Sequence, residues 1–251
     1  IRIGSIHLSN QLRAPSMSAK IASTLDVLTN GRLEFFFEMG HRGTKPESEA
    51  YGFDFAEDPE RLSQFEEAVD IIRMMWTEGP STYEGKHYSI HGAVNHPLPT
   101  QRPHPPLWIG TLGTELSSPI APNEQVLEIA AKYADGWNNT PASPEQCKVM
   151  LNALRRACDR NDRDYGSIRK SIETQILIAP NRGEVERIKD EISEANPETY
   201  SDTAWKRAEE EFLIGDPYTI ADRISEYKAI DIDHMQLWFM DMPSESGMRT
   251  F

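Results

Sequence analysis

Cysteine is almost absent, with only Cys147 and Cys158 in a chain of 251 residues. Both fall in one predicted helix, where an eleven-residue separation spans ~16 Å of axis and puts a disulfide out of reach. They read as buried, reduced thiols. Basic residues are also in deficit, at 26 Lys and Arg against 40 Asp and Glu, a net charge of -14. That balance repels a nucleic-acid backbone and an anionic membrane surface alike, and excludes both as partners. No run of ~18 apolar residues occurs. The first twenty residues, IRIGSIHLSNQLRAPSMSAK, lack the apolar segment and cleavage site of a secretory signal. The expected location is cytoplasmic.

What is present is the composition of a globular domain, 38% hydrophobic and 26% charged, which excludes collagen, coiled coil and wholesale disorder. Short β-type runs alternate with capped helices, the signature of repeated βα units and a parallel sheet. RIGSIHL (2–8) reads as the first strand. Pro15 opens a helix whose Met17, Ile21, Leu25 and Leu28 recur at the helical period, and Asn30-Gly31 stops it. RLEFFFEM (32–39) is the next strand, and the long polar loop after it is of the kind that builds sites. Asp58 and Pro59 cap a helix with a buried stripe of Leu62, Phe65, Val69, Ile72 and Trp76. Further strands are PLWIG (106–110), ADGWNNT (134–140), SIETQILIA (171–179) and HMQLWF (234–239). The expected organisation is one domain, 1–251, with a hairpin insertion near 80–97 and a charged helical insertion near 182–211. Six strands of the βα type result. A closed parallel barrel needs eight, so the chain is expected to be a barrel fragment.

Seven segments carry a resemblance: APSMSAKIASTLDVLTNGRLEF, AYGFDF, EEAVDIIRMMWTEG, YEGKHYSI, PHPPLWIG, AAKYADGWN and FLIGDPYTIADRISEYKAIDIDHMQLWF. In this order and at these spacings they resemble the bacterial-luciferase-like oxidoreductases. That superfamily holds flavin-dependent monooxygenases and enzymes using the deazaflavin coenzyme F420, and RACDRNDRDYGSIRKS looks most like its deazaflavin branches. The resemblance covers nearly the whole chain. It implies an α/β fold, a TIM (β/α)8 barrel of the luciferase-like type, with RIGSIHL as third strand and HMQLWF as eighth. The first two βα units, which carry the family's early catalytic histidine, and the last helix would then be lacking. It further implies coenzyme F420 or FMN as cofactor, a small-molecule organic substrate and a homodimer. The implied activity is hydride transfer to, or oxygenation of, that substrate. A non-catalytic flavin-binding barrel is the alternative.

The resemblance also nominates residues. Ile6 and His7 would lie beside the cofactor ring, joined by a nonprolyl cis peptide. Met39 and Gly40 end the following strand at the same rim. Gly110, Thr111, Leu112 and Gly113 sit between strand and helix, where small residues let backbone amides close on a phosphate, or form a mere flexible turn. Trp137 is barrel core or pocket wall, while Asn138 and Thr140 are placed to bond ring or phosphate oxygens. Where the family usually has a strand of the type GLGAG, this chain has FFFEMG. Phe36 there either fills cofactor volume or turns outward, and Glu38 is a proton-donor candidate or part of an inner polar layer. His41 aligns with an acidic proton donor of some deazaflavin enzymes, and is otherwise a solvated loop histidine. No metal site is expected, because His91, His96 and His104 are scattered along a proline-rich loop without metal-ligand spacing.

Overall fold

The computed structural model describes residues 1–111 and 124–251, in two compact units. The first comprises 1–111, 124–137 and 154–168. Its strands are β1 (Ile3–Gly4), β2 (Leu8–Ser9), β3 (Leu33–Glu38), β4 (Ser81–Glu84), β5 (Ser89–Ala93) and β6 (Leu107–Thr111), and its helices are α1 (Pro15–Leu28), α2 (Lys45–Ala50), α3 (Asp58–Thr77) and α4 (Glu124–Tyr133). The expected strand at 2–8 is two short strands. Both pair in parallel with β3, which pairs in parallel with β6. The break between them contains a cis peptide joining Ile6 to His7, as the resemblance implied.

Every residue of β3 is buried, because both faces are covered. Phe35 meets the edge of Trp76 at 5.1 Å and Phe37 packs on Phe65 at 5.2 Å, both on α3. The Trp76 indole donates to the Ala19 carbonyl at 3.0 Å and ties α3 to α1. Phe65, Val69, Ile72 and Trp76 form the expected buried stripe, with Leu62 partly exposed at its edge. Asp58 is the first residue of α3, not its cap, and bonds the Arg61 guanidinium at 2.5 Å.

The apolar period of α1 marks a helix but not its covered face. Ala19, Ala22 and Ser23 are buried, small enough to let α1 approach α3 closely, while Met17, Ile21, Leu25 and Leu28 face outward. Hairpin β4–β5 is pinned by Glu67 of α3, whose carboxylate accepts from the amides of Lys86, His87 and Tyr88 at 2.8, 2.9 and 3.0 Å. Partial burial would raise that carboxyl, but the three amides hold it below its ordinary range.

The second unit comprises 138–153 and 169–251, and β7 (Gly136–Asn139) and α5 (Pro144–Arg160) contribute residues to both. Here β8 (Arg169–Ile178) pairs in parallel with β9 (Leu213–Gly215) and β10 (His234–Phe239). The three residues of β9 left no periodic trace in the sequence. α6 (Arg182–Ala195) and α7 (Asp202–Glu211) form the charged insertion. It is more than surface, since Val185, Trp205 and Ala208 join Leu177 in a small core. α8 (Pro217–Ala229) is capped by Asp216, which accepts from the Thr219 amide at 2.9 Å, and a five-residue helix, α9 (Ser246–Thr250), follows β10. Cys147 and Cys158 are fully buried in α5 and form no disulfide, with burial pushing the Cys147 thiol up to about 12. Among the described residues no helix is long and apolar enough to cross a membrane.

Candidate functional site

With Phe35 and Phe37 turned to the helices, strand alternation turns Glu34, Phe36 and Glu38 to the opposite face of β3. These three residues build three layers. In the first, Glu34 accepts from the Trp108 indole at 2.5 Å and pairs with Arg2. In the second, Phe36 stacks on Trp108 with ring centroids 5.0 Å apart and planes 12° from parallel, because the register sets Phe36 beside Trp108. Glycines make room for both rings. A Cβ at Gly4 would stand 3.1 Å from the Phe36 ring, and one at Gly136 would stand 2.3 Å from the Trp108 ring. Phe36 therefore does not turn outward, and it lies one layer short of the strand end.

The third layer, at the end of β3, holds Glu38, His7 and Gly110. His7 Nδ1 lies 4.0 Å from Glu38 Oε2, and both side chains are almost wholly buried. The imidazole meets Phe36 edge to face at 6.0 Å. It also covers Gly110 so closely that a Cβ there would come within 2.6 Å of Nε2. Burial lowers the His7 pKa to about 4, so the ring is neutral at pH 7, with one nitrogen carrying a proton and the other able to accept one. Beside this layer Gly40, at φ +79°, is hemmed in by Gln11, and the Gln11 amide donates to the Met39 carbonyl at 3.3 Å.

The structure thus brings together His7, Glu38 and Gly110. Thr111 ends β6, whereas Leu112 and Gly113 lie outside the described residues. His41 is exposed, and its Nδ1 accepts from the Gly43 amide of its own loop at 3.1 Å. Its pKa is lowered by partial burial and then by the Arg61 charge. Trp137 is fully buried. Asn138 and Thr140 belong to the second unit. There Asn138 accepts from Ser171 Oγ at 2.5 Å, and its amide nitrogen points to Glu173 at 3.4 Å. Burial pushes the Glu173 carboxyl above its ordinary range, against the lowering bond from Asn138. Gln236 stands beside Glu173 in the register of β8 and β10. Reading SIETQILIA and HMQLWF as strands overlooked Ser171, Glu173 and Gln236, although polar residues spaced by two within apolar runs were the available signal.

A planar redox ring fits this chemistry at the third layer of the first unit. The His7 imidazole there is neutral, buried and 4.0 Å from the Glu38 carboxyl, and it fills the space over Gly110, so a ring would meet the imidazole and not the glycine backbone.

A family described as luciferase-like monooxygenase matches residues 1–234. The phthiodiolone/phenolphthiodiolone dimycocerosates ketoreductase of Mycobacterium tuberculosis is 27% identical over 190 residues, 74% of this chain and 45% of the relative. The chain thus matches less than half the length of that protein. The FMNH(2)-dependent dimethylsulfone monooxygenase of Pseudomonas putida is 26% identical over 252 residues, 92% of this chain and 68% of the relative. Among solved structures, the coenzyme F420 dependent tetrahydromethanopterin reductase from Methanopyrus kandleri superposes with a TM-score of 0.74 at 18% identity, covering 98% of this chain and 79% of that one. The fold is of the α/β type shared with luciferase-like TIM barrels.

Proposed function

The chain belongs to the luciferase-like monooxygenase family, and from that premise we propose that it is an oxidoreductase using reduced FMN or coenzyme F420 on a small organic substrate, by hydride transfer or oxygenation. The observation carrying this reading is the third layer: a neutral buried His7 facing Gly110 beside Glu38. Ile6, His7, Met39, Gly40, Gly110 and Thr111 would hold the ring. Leu112, Gly113, Trp137, Asn138 and Thr140 stay in the proposal as cofactor contacts on the resemblance alone. When bound, the reduced cofactor supplies the electrons. The chain's own part is to orient the ring, exclude water and keep one exchangeable proton on the His7 imidazole, which Glu38 positions. His41, tied to its own loop, is a second acid/base candidate from the solvent side.

The inactive-barrel alternative rested on FFFEM, and Phe36 packs on Trp108 beneath the His7 layer. Titration with oxidised FMN and with F420, followed by absorbance, tests cofactor binding, and turnover with either reduced cofactor removes the inactive alternative. One of the two is expected to bind, and Gly110→Ala, which pushes the His7 ring aside, to weaken that binding at least roughly tenfold. Failure of both cofactors to bind would sink the reading.

The reading extends to a like subunit. Met17, Ile21, Leu25 and Leu28 of α1 are 51%, 39%, 42% and 75% exposed and form one apolar stripe for a second copy of the chain. Sedimentation velocity is expected to show a dimer that Leu25→Glu dissociates, and a wild-type monomer at all concentrations would remove this part. We place the protein in the cytoplasm, whose reducing conditions keep Cys147 and Cys158 out of disulfides.

A further inference from the structure

β8 sets Ser171 and Glu173 on one face, and β10 lies alongside with Gln236 next to Glu173. Neighbours in register project from the same face with Cβ atoms about 5 Å apart. Neither Nε2 nor Oε1 of Gln236 has a hydrogen-bond partner among the described residues, although both atoms are shielded from solvent. Folded proteins leave few such atoms, because a buried polar atom without its bond is costly, and each one calls for a cause. A carboxamide open at both ends presents a donor and an acceptor side by side in one plane. The edge complementary to it is an N–H next to a C=O, as in a cyclic amide or imide.

Glu173 narrows the class further. Burial pushes its carboxyl upward against the Asn138 bond that opposes it, and in the register it stands beside the carboxamide on the same face. The carboxamide carries no net charge to attract or repel an ion, so the edge that matches it is uncharged. Asn138, fully buried and bonded by Ser171, fixes the position of the carboxyl from below.

We propose that Gln236 and Glu173 recognise the edge of an uncharged cyclic amide or imide. Two sources carry that chemistry: the pyrimidinedione ring of a flavin or deazaflavin, which rests on the oxidoreductase reading above, or a substrate that itself bears a cyclic imide. The probes are FMN or F420, whichever binds, with its N3-methyl derivative, and 1-methyluracil with 1,3-dimethyluracil. Methylation replaces the N–H by a methyl group and leaves both carbonyls in place. Calorimetric titration of the full chain is expected to show one parent compound binding at least roughly tenfold more tightly than its methylated partner, and Gln236→Leu to erase that preference. Preference within the cofactor pair assigns the site to the ring, and preference within the uracil pair alone assigns it to the substrate. If no cofactor binds while the uracil preference persists, the oxidoreductase reading falls and this site stands. Equal affinities within both pairs for the wild-type chain overturn the proposal, whatever Gln236→Leu does.

Discussion

Gly136→Ala is expected to lower the unfolding free energy by about 3 kcal/mol, the upper end of the range for an overpacked core. The added methyl would stand 2.3 Å from two carbons of the Trp108 ring, and that ring has nowhere to go. It is buried, stacked on Phe36 at 5.0 Å and held through its indole nitrogen to Glu34. Close-packed interiors transmit such a push instead of absorbing it, so Phe36 and the backbone at Gly4 would shift in turn. Urea denaturation of both proteins measures the effect. A second substitution separates crowding from any loss of backbone freedom at residue 136. Trp108→Phe removes the half of the indole that meets the new methyl, so the double variant should recover part of the loss, even though Glu34 loses a donor. A Gly136→Ala protein within 0.5 kcal/mol of its parent would show that Trp108 is not wedged there.

The architecture of the first unit was legible where one residue decides it locally. The FFFEM run announces a strand covered on both sides, and alternation says that Phe36 shares a face with Glu34 and Glu38. What Phe36 touches was not legible, because it depends on β3 and β6 lying in a register that places it beside Trp108. The same holds for α1. A period of three and four marks a helix in Met17, Ile21, Leu25 and Leu28, yet the covered face went to Ala19, Ala22 and Ser23, because small residues permit the close approach that α3 makes.

The candidate site divides in the same way. The cis peptide at Ile6–His7 followed from the resemblance and is present in the structure, where the imidazole lies against Gly110. That Gly110 is glycine because of His7 was invisible, since a strand-to-helix glycine reads equally as a turn or a phosphate cradle. Glu38 was nominated for its residue type, and its partner His7 emerged only when β2 paired with the end of β3. In the second unit, nothing in the sequence marked Gln236 as a residue with two unmet bonds, because satisfaction is a property of neighbours.

The parent protein is expected to lose about 3 kcal/mol of stability between pH 6.5 and 4 through His7 alone, a loss that His7→Asn abolishes. Burial depresses the folded pKa of His7 to about 4 from an ordinary 6.5, because the neutral ring is the form that the packing of Phe36 and Gly110 accepts. The unfolded chain therefore binds the proton first as pH falls. Protons bound preferentially by the unfolded state make stability rise with pH, so His7's contribution is complete above pH 6.5 and drains away toward pH 4. Each pH unit in that window is worth at most 1.36 kcal/mol, which sets the total. The Glu38 carboxylate, 4.0 Å from Nδ1, would pull the other way by favouring an imidazolium, but burial prevails. Other groups titrate over the same range, so the quantity to measure is the difference between parent and His7→Asn in urea midpoints taken at half-unit steps from pH 4 to 7.5. A difference that is constant with pH would mean that His7 binds its proton equally in the folded and unfolded chain, and one that grows as pH falls would mean that the folded state prefers the protonated ring. In the second case the third layer would hold an imidazolium beside Glu38, with no neutral imidazole to face a cofactor, and in either case burial would not depress the His7 pKa.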